Sequence, residues 1–311
     1  MNAAQQQGAA CRLKKPNDLT NHRTEQTFTC TTCDLHTTLL VLYLCSMNTL
    51  AFTVELAQAT GQLLLDYYRP AGIAATLKAD RTVVTEADLA ADELLRDALT
   101  ETYPDDGVLS EEAETIFPSG KNAVWVIDPL DGTTNFSLGL QHWGVSIARL
   151  VDGIPDLGVL CFPMLDELFA ASRGNGAFLN NRRLEVSPPT PEQPTRFFSC
   201  CSRTVRHYEV SLRYKTRILG SAAYGLATVA RGSAILAFEA TPKIWDFAAS
   251  WLIVEEAGGV IAPLTGESPF PLVPGTNYEK RSFSMLAAIT PELWAEGRSK
   301  IRKKSIQAES R

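Results

Sequence analysis

From Thr49 to Tyr68 apolar residues recur at helical spacing (Leu50, Val54, Ala57, Leu64, Tyr68), and Arg69-Pro70-Ala71-Gly72 then breaks the pattern. A first amphipathic helix is therefore predicted there. The next helical pattern runs from Thr85 to Thr100, with Thr85 as N-cap, Asp88 at the third helical position, and Leu89, Leu94, Leu95 and Leu99 toward the core. Val108-Leu109 reads as a short strand entering Ser110-Glu111-Glu112. Further strands are predicted at 123–127, 144–150, 157–161 and 167–172, with turn signals at Asp152-Gly153 and Arg173-Gly174-Asn175-Gly176.

Four prolines (188, 189, 191 and 194) crowd the next stretch and mark a subdomain boundary. Beyond it, Ser221 to Arg231 reads as a helix closed by Gly232, and Ala234 to Glu239 as a strand. Asp246 to Ala257 reads as a helix with an acidic N-cap and a Gly258-Gly259 stop. Ser284 to Ile289 is a late strand, and Pro291 opens a terminal helix. Strands joined by short turns favour a layered α+β fold with antiparallel hairpins over a pure βαβ array. The expected organisation is an extension at 1–46, an α+β subdomain at 47–187 holding the main site, a second subdomain at 188–300, and a tail at 301–311.

The leading 37 residues are polar and aperiodic, which reads as disorder. The apolar run from Thr37 to Cys45 is too short to span a bilayer and too far from Met1 for an ordinary signal peptide. No membrane role is expected. Cys30-Thr31-Thr32-Cys33 with His36 supplies only three zinc-ligand candidates, with no second pair at the usual spacing, and reads as a stray pair. Seven unevenly spaced cysteines suit a reducing, cytoplasmic setting. At 45% hydrophobic and 21% charged, the 311 residues describe an ordinary globular protein. A net charge of −6 without a long basic run argues against nucleic acid as a partner.

The chemistry concentrates where predicted strands end. Asp128-Pro129-Leu130-Asp131-Gly132-Thr133-Thr134-Asn135 follows the apolar run 123–127 and delivers two carboxylates three residues apart, then a glycine and two hydroxyls. Such a loop offers oxygens to a hard divalent cation and N–H groups to a phosphate. Taken singly, Asp128 and Asp131 read equally as turn residues, Glu111-Glu112 as a solvated loop, and Asp246 as a helix cap. No Ser/His/Asp arrangement stands out among four scattered histidines, and His142 reads as packed or capping.

Together these segments resemble the inositol monophosphatase family, within the larger group that holds fructose-1,6-bisphosphatases and bisphosphate nucleotidases. The order is strand–Ser110-Glu111-Glu112, strand–Asp128 to Asn135, then Trp245-Asp246-Phe247-Ala248-Ala249, and the resemblance spans about residues 50 to 290. It implies an αβαβα layered sandwich and a Mg2+-dependent phosphomonoesterase using two or three ions. By resemblance, Glu111, Asp128, Asp131, Asp246 and the Leu130 carbonyl match metal ligands, and Glu111 with Thr133 activates the attacking water. Gly132 and Thr133 match phosphate-binding N–H donors, Glu239 matches the acid that bonds a substrate hydroxyl, and Lys78 and Asp88 match residues behind the metal site. A homodimer sensitive to lithium is implied as well. Ser110 departs from the family's glycine, and Thr241-Pro242-Lys243-Ile244 from its glycine-containing loop. The expected substrate is a small phosphorylated metabolite, first inositol 1-phosphate. Histidinol phosphate, a sugar bisphosphate and a 3′-phosphoadenosine nucleotide are rivals, and a catalytically silent regulatory scaffold is the alternative outside enzymes.

Overall fold

The computed structural model describes residues 48–77, 83–188 and 196–304. The extension at 1–46 with its Cys30, Cys33 and His36, Lys78, most of the proline run, and the end of the tail lie outside the described residues. Helix α1 (Thr49–Tyr67) starts where the Asn48 side chain accepts from the Ala51 N–H at 2.8 Å. Strands β1 (Thr76–Leu77) and β2 (Val83–Val84) form a small antiparallel pair before α2 (Glu86–Thr102). Thr85 is the N-cap of α2, and Asp88 reaches back to the Thr85 N–H at 2.7 Å. Leu95 and Leu99 enter the core as expected, but Leu89 and Leu94 do not, being 54% and 37% exposed. The buried stripe of α2 is Ala87, Asp88, Ala91, Asp92, Leu95 and Leu99. Two aspartates occupy the face that turns inward, so counting leucines assigned part of that face wrongly.

Seven strands then pair in chain order: β3 (Gly107–Ser110), β4 (Ala123–Asp131), β5 (Gly144–Val151), β6 (Ile154–Phe162), β7 (Glu167–Ser172), β8 (Gly176–Leu179) and β9 (Arg182–Leu184). A short helix, α3 (Thr133–Ser137), separates β4 from β5. Within this sheet only the β3–β4 pair is parallel. Asp152 and Gly153 have positive φ of 50° and 75°, as a tight hairpin between β5 and β6 requires.

The second half holds β10 (Phe197–Cys200), α4 (Ser202–His207), β11 (Tyr208–Val210), β12 (Lys215–Arg217), α5 (Ala222–Ala230), β13 (Ala234–Glu239), α6 (Ile244–Glu256), β14 (Val260–Pro263), β15 (Met285–Ala288), α7 (Pro291–Lys300) and β16 (Ile301–Lys303). Five of these strands form a mixed sheet in the order β12-β10-β13-β15-β14, and β11 pairs with β16. Helix α6 begins at Ile244, two residues before the expected start. Asp246 is therefore not its N-cap; it lies in the first turn and accepts from the Lys243 N–H at 2.8 Å. The sequence pattern misses Ile244 and Trp245, because an acidic residue at a helix start, here Asp246, reads as an N-cap.

Alternation along the strands sets the layers. Trp125, Ile127, Val145, Ile147 and Val159 face α1 and α2, whereas Val124, Val126, Ala148, Leu150 and Phe162 face the layer of α5 and α6. The five-stranded sheet covers the far side of α5 and α6, and α7 lies against its outer face, with Gly297 close to Leu236 and Leu286. The result is the expected αβαβα sandwich of an α+β fold. Two buried clusters, one on each face of the seven-stranded sheet, hold it together by removing apolar surface from water. Among the described residues no helix is long and apolar enough to cross a membrane.

Candidate active site

Every residue of β4 from Ala123 to Asp131 is buried, so the strand carries its two terminal aspartates into the interior. Between Asp128 and Asp131 the pairing with β5 shifts register, and the Leu130 N–H donates to Asp128 Oδ1 at 3.0 Å. Gly132 then turns the chain with φ of 92°. A Cβ there would lie 2.8 Å from the His142 carbonyl oxygen, so the turn admits only glycine. Thr133 opens α3, leaving the N–H groups of Gly132 and Thr133 at the end of a helix where no carbonyl precedes them in the spiral.

Glu111 arrives through the parallel pairing of β3 with β4. Ser110 sits opposite Ile127, and the Glu111 N–H donates to the Ile127 carbonyl at 3.3 Å, which sets Glu111 alongside Asp128. Asp246 arrives from the other side. Asp128 pairs with Ser146, and the Ser146 hydroxyl donates to the Trp245 carbonyl at 3.0 Å, drawing the start of α6 onto the same spot. Oxygens of Glu111, Asp128 and Asp246 consequently lie within 4.8 Å of one another.

Asp131 is placed differently. Its carboxylate accepts from the Ser221 hydroxyl and from the N–H groups of Ala222 at 3.1 Å and Ala223 at 3.2 Å, at the start of α5. It is buried beside the other three acids without belonging to their tight group. Burial pushes the Asp131 carboxyl up to about 6, against the downward pull of those hydrogen bonds. Burial, and then the charges of Glu111 and its neighbours, push Asp128 and Asp246 well above the usual carboxylate range.

Thr133 stands next to this group. Its hydroxyl is 3.0 Å from Asp88 Oδ1 and 3.0 Å from the Leu130 carbonyl. The second oxygen of Asp88 accepts from the Thr85 hydroxyl at 2.6 Å. Burial raises the Asp88 carboxyl despite these bonds. Glu239 ends β13, buried, with its carboxyl 3.0 Å from where a Cβ on Gly225 of α5 would be. Burial first, then the Cys201 thiol and Asp131 and Asp246, raises the Glu239 carboxyl well above its ordinary value. His142 is a packing residue here, its ring 5.5 Å from that of Tyr224.

Several partners escaped the sequence reading. Ser221 and the first turn of α5 seat Asp131; Ser146 ties α6 to β5; Asp92 contacts Ser110. Only Asp92 left a signal, four residues after Asp88 and so on the same helical face. A set of hard carboxylate oxygens converging at strand ends suits a magnesium-type cation.

A layered sandwich with such a site defines a metal-dependent phosphoric monoester hydrolase. The model of the inositol monophosphatase family matches residues 47–303, and the chain belongs to that family. A histidinol-phosphatase of Chlorobaculum parvum is 38% identical over 217 residues, covering 68% of this chain and 83% of its own length. The Nus factor SuhB of Escherichia coli is 36% identical over 228 residues, covering 70% of this chain and 85% of its own length. Among solved structures, a Thermotoga maritima IMPase superposes with a TM-score of 0.68 at 29% identity, covering 81% of this chain and 98% of that one.

Proposed function

We propose that the chain hydrolyses the phosphate monoester of a small polyol, with inositol 1-phosphate the first choice, in a Mg2+-dependent reaction. The observation that carries this reading is the convergence of Glu111, Asp128 and Asp246 within 4.8 Å, beside a threonine hydroxyl whose proton has two acceptors, Asp88 and the Leu130 carbonyl. A hydroxyl has one proton and two lone pairs. With its proton directed to Asp88 or to the Leu130 carbonyl, Thr133 accepts a hydrogen bond from a water and orients it. Glu111 takes the proton which that water gives up. Glu111, Asp128, Asp246, the Leu130 carbonyl and Asp131 would hold two or three Mg2+ ions, which lower the pKa of water and neutralise phosphate charge. Asp131 keeps capacity for this, because a carboxylate has about four acceptor positions and the start of α5 occupies three. The N–H groups of Gly132 and Thr133 bind the phosphate, and Glu239 meets a hydroxyl of the leaving alcohol. Asp88 supports the site from behind Thr133, and Lys78 is given a like role by the family resemblance alone. A homodimer in a cytoplasmic setting fits this reading, and Cys161, Cys200 and Cys201 are free thiols among the described residues.

One rival has a specific observation behind it: the Chlorobaculum parvum relative is a histidinol-phosphatase at 38% identity. Phosphate release by the purified chain with Mg2+ should be compared across inositol 1-phosphate, histidinol phosphate, fructose 1,6-bisphosphate and a 3′-phosphoadenosine nucleotide. The expected result is the highest kcat/KM on inositol 1-phosphate. A higher value on another ester reassigns the substrate, and silence on all four leaves the regulatory scaffold. Asp128→Asn should lower turnover by more than about 100-fold with the fold intact, beyond what losing an outer partner of a metal ligand costs.

A further inference from the structure

Helix α2 presents two buried aspartates one turn apart, and only the first belongs to the mechanism above. Asp92 is 3% exposed, and both of its oxygens are matched. Oδ1 accepts from the Ser110 hydroxyl at 2.5 Å, and Oδ2 from Arg96 Nε at 2.7 Å. A buried carboxylate is tolerated only when so matched, and its geometry is correspondingly well defined. The Ser110 hydroxyl in turn accepts from the Glu112 N–H at 3.3 Å. The Ser110 N–H donates to the Glu114 carbonyl at 2.8 Å and closes the loop between them. Glu111 is thus held between a residue bonded to α2 and a backbone bond to β4. A glycine at 110, as in the related motif, leaves the loop without its bond to Asp92.

We propose that Asp92 and Ser110 form a positioning pair that holds Glu111 beside Asp128, so that one helix braces both groups around the attacking water. Asp88 orients Thr133 from the first turn of α2, and Asp92 orients Glu111 from the second. The inference rests on the phosphatase reading of Glu111 and Thr133. It assigns Asp92 a role through Ser110, without contact with substrate.

Ser110→Ala in the full chain removes the hydroxyl and little else. Magnesium binding measured calorimetrically without substrate should weaken about tenfold, the size expected for loss of a partner behind a metal ligand. The kcat on the best ester should fall by a similar factor, with KM within about twofold. Ser110→Thr, which keeps the hydroxyl, should restore both. Asp92→Ala should reproduce the defect, and the double variant should be no worse than Asp92→Ala alone, as expected for groups acting as one unit. A Ser110→Ala protein that unfolds more readily yet binds magnesium and turns over like the parent would overturn the proposal. If that variant does not fold, Ser110→Gly against Ser110→Thr gives the same comparison. A parent protein that neither binds magnesium nor hydrolyses any ester would overturn the phosphatase reading and this inference together.

Discussion

Thr133 has one proton and two acceptors within 3.0 Å, Asp88 and the Leu130 carbonyl, and this arrangement decides what its oxygen can do next. Thr133→Val keeps the shape of the side chain and deletes the hydroxyl. On the proposed mechanism kcat falls by about 100-fold, the lower range for groups that manage a proton in the transition state, while KM stays near the parent value. Thr133→Ser should recover most of the loss. Steady-state kinetics on a variant with unchanged circular dichroism checks this, and an unaltered kcat would remove Thr133 from the mechanism. At this scale the sequence shows the residue types and order of Asp128, Asp131, Thr133 and Asp246. Each acid alone reads as a turn or cap residue, and their roles come from the family resemblance. The seating of Asp131 against α5 was not legible, since Ser221 is 90 residues away and looks like any helix cap.

Elements deliver these residues, and their approach depends on what is missing from them. Gly158 lies in β6 under α6, where a Cβ would sit 2.8 Å from the Ala249 carbonyl and 3.0 Å from its Cα. On an open strand Gly→Ala gains roughly 0.5–1 kcal/mol. Here overpacking should outweigh that gain, and Gly158→Ala should destabilise the protein by about 1–3 kcal/mol. The urea midpoint reads the sign directly; a rise would mean that α6 yields easily. Since α6 carries Asp246 in its first turn, magnesium affinity should drop with stability. Most central elements were legible from period and punctuation, Ala234–Glu239 to the residue. The short strands β8 to β12 were not, because three or four residues carry too little alternation to read.

In the whole molecule the acids act together. The folded, metal-free chain keeps Asp128, Asp246 and Glu239 protonated above their ordinary range, and Asp131 up to about 6. The fold then binds more protons than the unfolded chain, so its stability falls as pH rises. For Asp131 that window runs from the ordinary 3.8 to about 6. A divalent cation opposes the trend by favouring the ionised carboxylates. Magnesium should therefore raise Tm more at about pH 7 than at about pH 5, by thermal denaturation with and without the ion. Equal shifts at both pH values would show that the cluster does not take the cation.

The sequence by itself determined most of the longer elements and the α+β class, because periodicity and turn punctuation are local features. The grouping of the acids came only as what the family resemblance implied. Only the tertiary structure decided which carboxylates meet. The parallel register of β3 on β4 brings Glu111 to Asp128, the Ser146–Trp245 bond brings Asp246, and the start of α5 draws Asp131 aside. These are contacts between distant segments, and a contact of that kind leaves no mark in the local pattern of either partner.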